Sequence, residues 1–280
     1  MPWKRMGIID GFNAAGNFIA AQKLRILADG GTIVDEDWMR AVISVLVQQG
    51  LMGNVKFLAD ANFAYKTPGA GAVSKLYDIS GNNNDATQAT GANQPIWTAA
   101  QQNGRAGLVF DGTNDRLVKT SPSGMSTGDS AISYLVAFNR TGGTAGYPIV
   151  VAYGGNGTDK DMVLFVYAAA PVGAYTYGNR GVISAISTTT ATQNIAKIIT
   201  GTYSGSAGTY NIYIDGIFEG TAEEPGTLNL SAGSISIGSG TDGTQIVKGN
   251  LLNCNIFNTA LTTAQRTALE ATVNQYYRIY

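Results

Sequence analysis

The sequence predicts an all-β, two-sheet antiparallel sandwich, preceded by a short, partly helical segment and closed by a C-terminal helix. Three observations predict it. Short runs rich in Val, Ile, Tyr, Phe and Thr are separated by glycine-containing turns. Several runs alternate so that one face is apolar and the other polar, as antiparallel sheets with one solvated face do. No helix-length periodicity occurs between roughly Val55 and Leu261, which argues against a βαβ architecture. The 36 glycines among 280 residues follow no collagen-like period and form no single tract; they punctuate the strands.

In chain order, Phe18 to Leu27 reads as helical, stopped by Asp29-Gly30-Gly31. Asp35 and Asp37 then precede Trp38, Val42, Val45 and Leu46, apolar at i, i+4, i+7 and i+8. Acids suit a helix N-terminus and Gly50 suits its end. The clear strand runs are Ala131–Phe138, Pro148–Tyr153, Met162–Ala168, Ile195–Tyr203, Thr209–Asp215, Ser234–Gly238 and Lys248–Phe257. Turn signals separate them, among them Asp111-Gly112, Thr141-Gly142-Gly143, Asp215-Gly216 and Asp242-Gly243. In Thr209–Asp215, Tyr210, Ile212 and Ile214 share one face; in the last run, Leu252, Cys254 and Ile256 share one. Met162–Ala168 is apolar on both faces, as a strand covered on both sides would be. Thr262-Thr-Ala-Gln265 matches a capping box, and Leu269, Val273 and Tyr276 form the stripe of the closing helix. These readings divide the chain into an attachment segment, residues 1–52, and one large β domain, residues 53–280.

Composition removes whole chemistries. With no histidine there is no Ser-His-Asp triad, no Cys-His pair and no imidazole metal ligand. A lone Cys254 makes neither an internal disulfide nor a thiolate zinc site. Charged residues are 13%, against about 25% usually, and the net charge is −1, which argues against a nucleic-acid partner. No apolar run is long enough to span a bilayer. Asp10, Asn13 and Asn17 interrupt what would be the apolar region of a signal peptide, so none is expected.

Three stretches then carry a resemblance: Lys75-Leu-Tyr-Asp-Ile-Ser-Gly-Asn-Asn-Asn-Asp-Ala-Thr-Gln88, Asn93-Gln-Pro95, and Asn103-Gly-Arg-Ala-Gly-Leu-Val-Phe-Asp-Gly-Thr-Asn-Asp115. With Ile212-Tyr-Ile-Asp-Gly216, Ile235-Ser-Ile-Gly238, Lys248-Gly249 and Asn258-Thr-Ala-Leu261, their order resembles a concanavalin A-like (laminin-G-like) jelly-roll domain over roughly Val55 to Tyr280. Ala28-Asp-Gly-Gly-Thr32, an apolar helix and then Lys75-Leu-Tyr-Asp78 are similar to segments preceding such domains in tailed-bacteriophage virion proteins. This second likeness implies a tail, fibre or capsid-surface component. It would be made in the host cytoplasm, carried on the virion surface and attached to other virion proteins through its first segment. It would act as a homo-oligomer, adsorbing to a host-surface glycan or decorating the particle.

The fold hosts glycan binders and glycosidases alike, so the residues must decide. Glycoside hydrolysis needs two carboxylates about 5 to 9.5 Å apart across one bond. The strand-borne Glu-x-Asp-x-x-Glu pattern of sandwich glucanases is absent; Glu223-Glu224 precedes Pro225 and reads as a solvated turn, and Asp215 and Glu219 flank a hairpin turn. No catalytic residue is therefore expected, with a polysaccharide-cleaving enzyme and a ligand-free structural subunit as alternatives.

Oxygen-only calcium sites remain open at Asp78, Asn83 and Asp85 in one loop, and at Asp111, Asn114 and Asp115 in another. Turn chemistry explains the same residues. Gly154-Gly-Asn-Gly-Thr-Asp159 matches one calcium-binding nonapeptide repeat, but such repeats need neighbours, so it reads as a hairpin loop. For glycan binding the candidates are Tyr153, Tyr167, Tyr175, Tyr177, Asn179 and Arg180, because flat half-wet rings stack on sugars; core packing is the competing reading. Trp38, Val42, Val45 and Leu46 are the candidate assembly contact, or a cover for the sandwich, because a contiguous apolar face must be covered.

Overall fold

A computed structural model of the protein describes residues 8–142, 146–155, 160–167, 174–179, 183–206, 208–224 and 228–280. Helix α1 (Ile8–Ala28) ends at Gly30, whose φ of 76° lets its N–H reach back to the Leu27 carbonyl. Helix α2 (Glu36–Gln48) starts at Asp35, which accepts the Trp38 N–H at 2.9 Å, and stops at Gly50 with φ 67°. Helix α3 (Thr263–Tyr277) opens on the Thr262–Gln265 capping box.

Two sheets form the sandwich, and the pairings between named strands are antiparallel. The larger runs β1 (Thr32–Ile33), β3 (Ala64–Lys66), β4 (Lys75–Leu76), β5 (Ala86–Thr87), β8 (Leu117–Thr120), β17 (Ser234–Ile237), β10 (Ile149–Gly154), β11 (Asp161–Tyr167), β12 (Ala174–Asn179) and β13 (Ile183–Thr190). The other runs β16 (Ile217–Glu223), β15 (Thr209–Ile214), β14 (Ala196–Tyr203), β9 (Ile132–Arg140), β18 (Lys248–Phe257), β7 (Arg105–Asp111) and β6 (Ile96–Gln102), with β2 (Val55–Asp60) also on β18. Central neighbours come from distant parts of the chain, as in a jelly roll.

The inter-sheet core follows the alternation in the sequence. Tyr210, Ile212 and Ile214 of β15 point in, whereas Asn211 and Tyr213 stay half-buried. On β11, Met162, Leu164 and Val166 face the core, and Val163 is buried on the opposite face beside Ile149 and Ala152. The expected common face of Leu252, Cys254 and Ile256 is corrected. The β18–β9 register shifts between Leu251 and Asn253, so Leu251, Cys254 and Ile256 face the core while Leu252 turns to the helices.

The three helices pack on the outer face of the smaller sheet, against Leu58, Leu135, Ala137, Ile198 and Leu252. Trp38, Val42 and Leu46 are buried there and Val45 is partly buried, so their apolar face meets this chain's own sheet and α3, not another subunit. Trp38 stacks on Tyr276 with centroids 4.1 Å apart, and β1 pairs with β3. The buried apolar side chains from Ala15 to Leu51 thus share one apolar layer with the sandwich. Among the described residues no helix is long and apolar enough to cross a membrane.

Candidate functional site

The tyrosines expected to bind sugar instead hold the two sheets together. Tyr153, Tyr175, Tyr177 and Asn179 are fully buried. Tyr177 on β12 donates to the Ile132 carbonyl on β9 at 3.0 Å, and Tyr134 on β9 donates to the Met162 carbonyl on β11 at 2.9 Å. These are reciprocal cross-sheet hydrogen bonds, with the two rings edge-on at 5.3 Å. Tyr153 donates to the Ser126 carbonyl at 2.8 Å. Gly201 makes room for Tyr177, since a Cβ there would fall inside the ring's van der Waals envelope. Burial pushes the Tyr153 phenol up to about 12. None of the three candidate rings, Tyr153, Tyr175 and Tyr177, is exposed to solvent. Tyr167 lies on β11 with its side chain outside the described residues, and Arg180 lies outside them altogether.

The acidic loops are turns. Asp78 Oδ1 accepts the Leu58 and Ser80 N–H groups at 2.9 and 2.8 Å; Oδ2 accepts the Asn84 N–H and the Ser80 hydroxyl, both at 2.8 Å. Burial raises its carboxyl to about 6 against those donors, which favour the anion. Asp85 accepts the Asp78 N–H at 2.9 Å and pairs with Arg25 at 2.7 Å. Asn83 takes the left-handed φ of 56°. Asp111 accepts the Thr113 and Asn114 N–H groups, and Asp115 accepts the Asp111 N–H. Both oxygens of Asp78 are taken up by these donors, as turn chemistry requires, and no group of three or more acidic or thiol ligands gathers among the described residues. The loop Gly154–Asp159 lies mostly outside the described residues.

Glu224 departs from the expected solvated turn: it is buried and accepts the Tyr210 hydroxyl. Glu219 accepts the Thr189 N–H at 2.7 Å, and Asp215 pairs with Lys197 at 2.6 Å.

A concave polar surface lies on the outer face of the larger sheet. Register places Lys66, Lys75, Thr87, Val118, Ser236, Ala152, Val163, Gly178 and Ser184 in one transverse row. At one end of this row is an open cleft of about 380 Å³, lined by Lys75, Asn83, Asp85, Thr87, Val118, Lys119 and Thr120. The end of α1 braces it from behind. Arg25 bonds Asp85 and the Asp78 carbonyl, and Asp29 accepts Lys75 and Tyr77, both at 2.7 Å, as well as Lys66 at 3.3 Å. The Lys75 and Tyr77 donors hold the Asp29 carboxyl well below the usual carboxylate range. The lining offers ammonium, hydroxyl, amide and carboxylate groups, the set that meets sugar hydroxyls. On the same face Tyr147, 45% exposed, lies edge-on to Phe165 at 5.9 Å. Phe165's strand is three strands from Val118, roughly 14 Å at ordinary strand spacing.

Sequence reasoning missed Lys75, Thr87, Lys119 and Thr120 as a group. They come from strands of two to four residues whose adjacency pairing alone creates. Asn83 and Asp85 were legible, though as metal ligands.

Similar proteins point to the same fold. No curated protein matches the chain. Among solved structures, a GH54 α-L-arabinofuranosidase is 12% identical with TM-score 0.57, over 74% of this chain and 51% of that one. The binding domain of Paraclostridial Mosquitocidal Protein 1 is 15% identical with TM-score 0.55, over 80% and 53%. The botulinum neurotoxin serotype D binding domain is 13% identical with TM-score 0.54, over 79% and 51%. The chain thus spans about half the length of each of these three. The family model described as the concanavalin A-like lectin/glucanases superfamily, a laminin-G type, matches residues 111–265, more than half of the chain. With its two antiparallel sheets and jelly-roll order, the protein belongs to the concanavalin A-like lectin/glucanases superfamily.

Proposed function

We propose that the protein is a non-enzymatic virion component of a tailed bacteriophage, displaying a carbohydrate-binding jelly roll for adsorption to a host-surface polymer or decoration of the particle. The observation that carries the binding reading is the polar cleft on the outer face of the larger sheet, with side chains from β4, β5, β8 and the Asn83–Asp85 loop converging on one open space. Its one lining carboxylate, Asp85, is held by Arg25. Two-carboxylate glycoside chemistry has no second member there, which favours binding over cleavage. Binding domains and glycosidases among the similar structures agree with a saccharide ligand but do not choose between the two activities.

The virion part rests on the likeness of residues 28–78 to phage segments and on the low charge. Assembly would use α1 instead of α2. Leu24 and Leu27 are 72% and 55% exposed, on an outward stripe with Ala20 and Ala21. Copies repeated on a particle would add weak glycan contacts into useful avidity.

Multivalent protein on a glycan array tests the binding reading. A bound saccharide, lost in Asn83→Ala and Thr120→Ala variants that keep their thermal midpoint, supports it. Release of reducing ends from host capsule or lipopolysaccharide would establish the enzyme instead. Density of the intact particle, with α1 against a neighbour and the larger sheet facing solvent, tests the virion part.

A further inference from the structure

We infer that Asn103 is a site of spontaneous covalent modification, a deamidation through Gly104, and that its product unlatches the end of α3. The inference stands apart from the saccharide reading.

Asn103 and Gly104 form the two-residue turn between β6 and β7, closed by the Gln102–Arg105 pair. Their φ values, 47° and 81°, are left-handed at both positions, as a type I′ hairpin turn requires. Both residues are exposed, yet the Asn103 side chain is spent on another element. Its Nδ2 donates to the Tyr277 carbonyl at 2.9 Å and to the Arg278 carbonyl at 2.8 Å. These are carbonyls of the kind that a helix end leaves without an intrahelical partner. Arg278 takes a left-handed φ of 52° there, and Asn274 Oδ1 accepts the Ile279 and Tyr280 N–H groups at 2.8 and 3.0 Å. Arg105, next along the chain, lays its guanidinium over the Tyr276 ring at 3.9 Å. The hairpin turn therefore latches the end of α3 from outside.

The residues of the latch also carry the means to undo it. Main-chain attack on an asparagine side chain is least hindered when glycine follows, because glycine has no Cβ and a permissive backbone. The Gly104 nitrogen gives its proton to water and bonds to Asn103 Cγ. The Cγ–Nδ2 bond breaks, and Nδ2 leaves as ammonia with a proton taken back from water. Water then opens the cyclic succinimide at either carbonyl, giving aspartate or isoaspartate. The balance is amide plus water to carboxylate plus ammonium, with no oxidant or reductant. The two hydrogen bonds on Nδ2 go to a helix end, which frays, so ring closure competes with re-docking and not with a buried contact. Both products remove the two N–H donors and set an anion against two carbonyl oxygens at the negative pole of α3. Isoaspartate also lengthens the main chain of the turn by a methylene, which displaces Arg105 relative to Tyr276.

The full chain, aged at mildly alkaline pH and physiological temperature and sampled by peptide mapping, tests both halves. Trypsin releases Leu76–Arg105 as one peptide, so Asn82, Asn83, Asn84 and Asn93 are internal references. Aspartate and isoaspartate are expected at Asn103 about tenfold faster than at any reference, since only Asn103 precedes glycine in that peptide. Asn103→Gln, whose longer side chain closes the ring slowly, should stay unmodified. Hydrogen exchange at the Ile279 and Tyr280 amides should quicken about tenfold in the aged protein and in Asn103→Asp, while amides of β9 and β18 keep their protection. Modification no faster at Asn103 than at the references would overturn the site. Modification at Asn103 with unchanged exchange at Ile279 and Tyr280 would overturn the latch.

Discussion

The Trp38 indole N–H donates to Asp60 Oδ2 at 3.0 Å, joining α2 to β2 inside the layer between helices and sheet. The same carboxylate accepts the Tyr277 hydroxyl at 2.6 Å, the Asn253 amide at 3.0 Å and the Asn62 N–H at 2.7 Å. One buried acid therefore ties α2, β2, β18 and α3 together. Burial raises its pKa against those four donors. Trp38→Ala removes a stacked ring and one donor, and should cost about 3–5 kcal/mol in denaturant unfolding. Sedimentation should show the same mass as the parent, because the ring faces this chain's own core.

Gly201 and Tyr177 form a second tight pair. Gly201→Ala drives a methyl into the ring and should destabilise by about 1–3 kcal/mol. Adding Tyr177→Leu should recover part of that loss, read as a non-additive double-mutant cycle in chemical denaturation. Tyr177→Phe should cost about 1–3 kcal/mol by leaving the Ile132 carbonyl unpaired. It should leave glycan retention unchanged.

Stability should fall as pH rises from about 4 to about 6. Asp78 and Asp115 both sit near 6 in the fold, chiefly through burial, against about 3.9 for an unfolded aspartate. A raised folded value means the contribution is present below about 4 and lost as pH climbs to about 6, with no further change above. Asp29 works oppositely. Its lowered value gives a contribution present above about 4 that disappears on acidification. Thermal midpoints across pH 4–7 should show the decline, and Asp78→Asn should flatten its slope even though the variant is less stable throughout.

Arg25 should control the order of the cleft wall. It holds Asp85 at 2.7 Å and the Asp78 carbonyl at 2.8 Å. Arg25→Ala should speed hydrogen exchange at the Asp78 amide, which Asp85 accepts, while amides of β9 and β18 keep their protection. Unchanged exchange at Asp78 would show that the loop is held by its own turns.

The saccharide candidates show where residue patterns stop being informative. Tyr210, Ile212 and Ile214 read correctly as inward because a strand's period of two sets the face. Leu252 did not, because one extra residue in β18 reverses parity and leaves no mark in the sequence. Tyr153, Tyr175 and Tyr177 have the composition of a stacking surface, yet whether a tyrosine lies in or out depends on what the opposite sheet presents. Here that is Gly201 and the Ile132 carbonyl.

The sequence alone determined the class of fold, the capped ends of α2 and α3, and the loss of histidine and disulfide chemistry. Each depends on neighbours a few residues apart or on counts. Only the tertiary structure decided that Trp38, Val42 and Leu46 cover their own sheet, that both oxygens of Asp78 are taken up by donors of its own loop and of β2, and that Lys75, Thr87 and Thr120 share a cleft. Those outcomes depend on antiparallel pairing between strands tens of residues apart. Pairing register and the packing of opposing layers are set by the whole chain at once, so no local pattern encodes them.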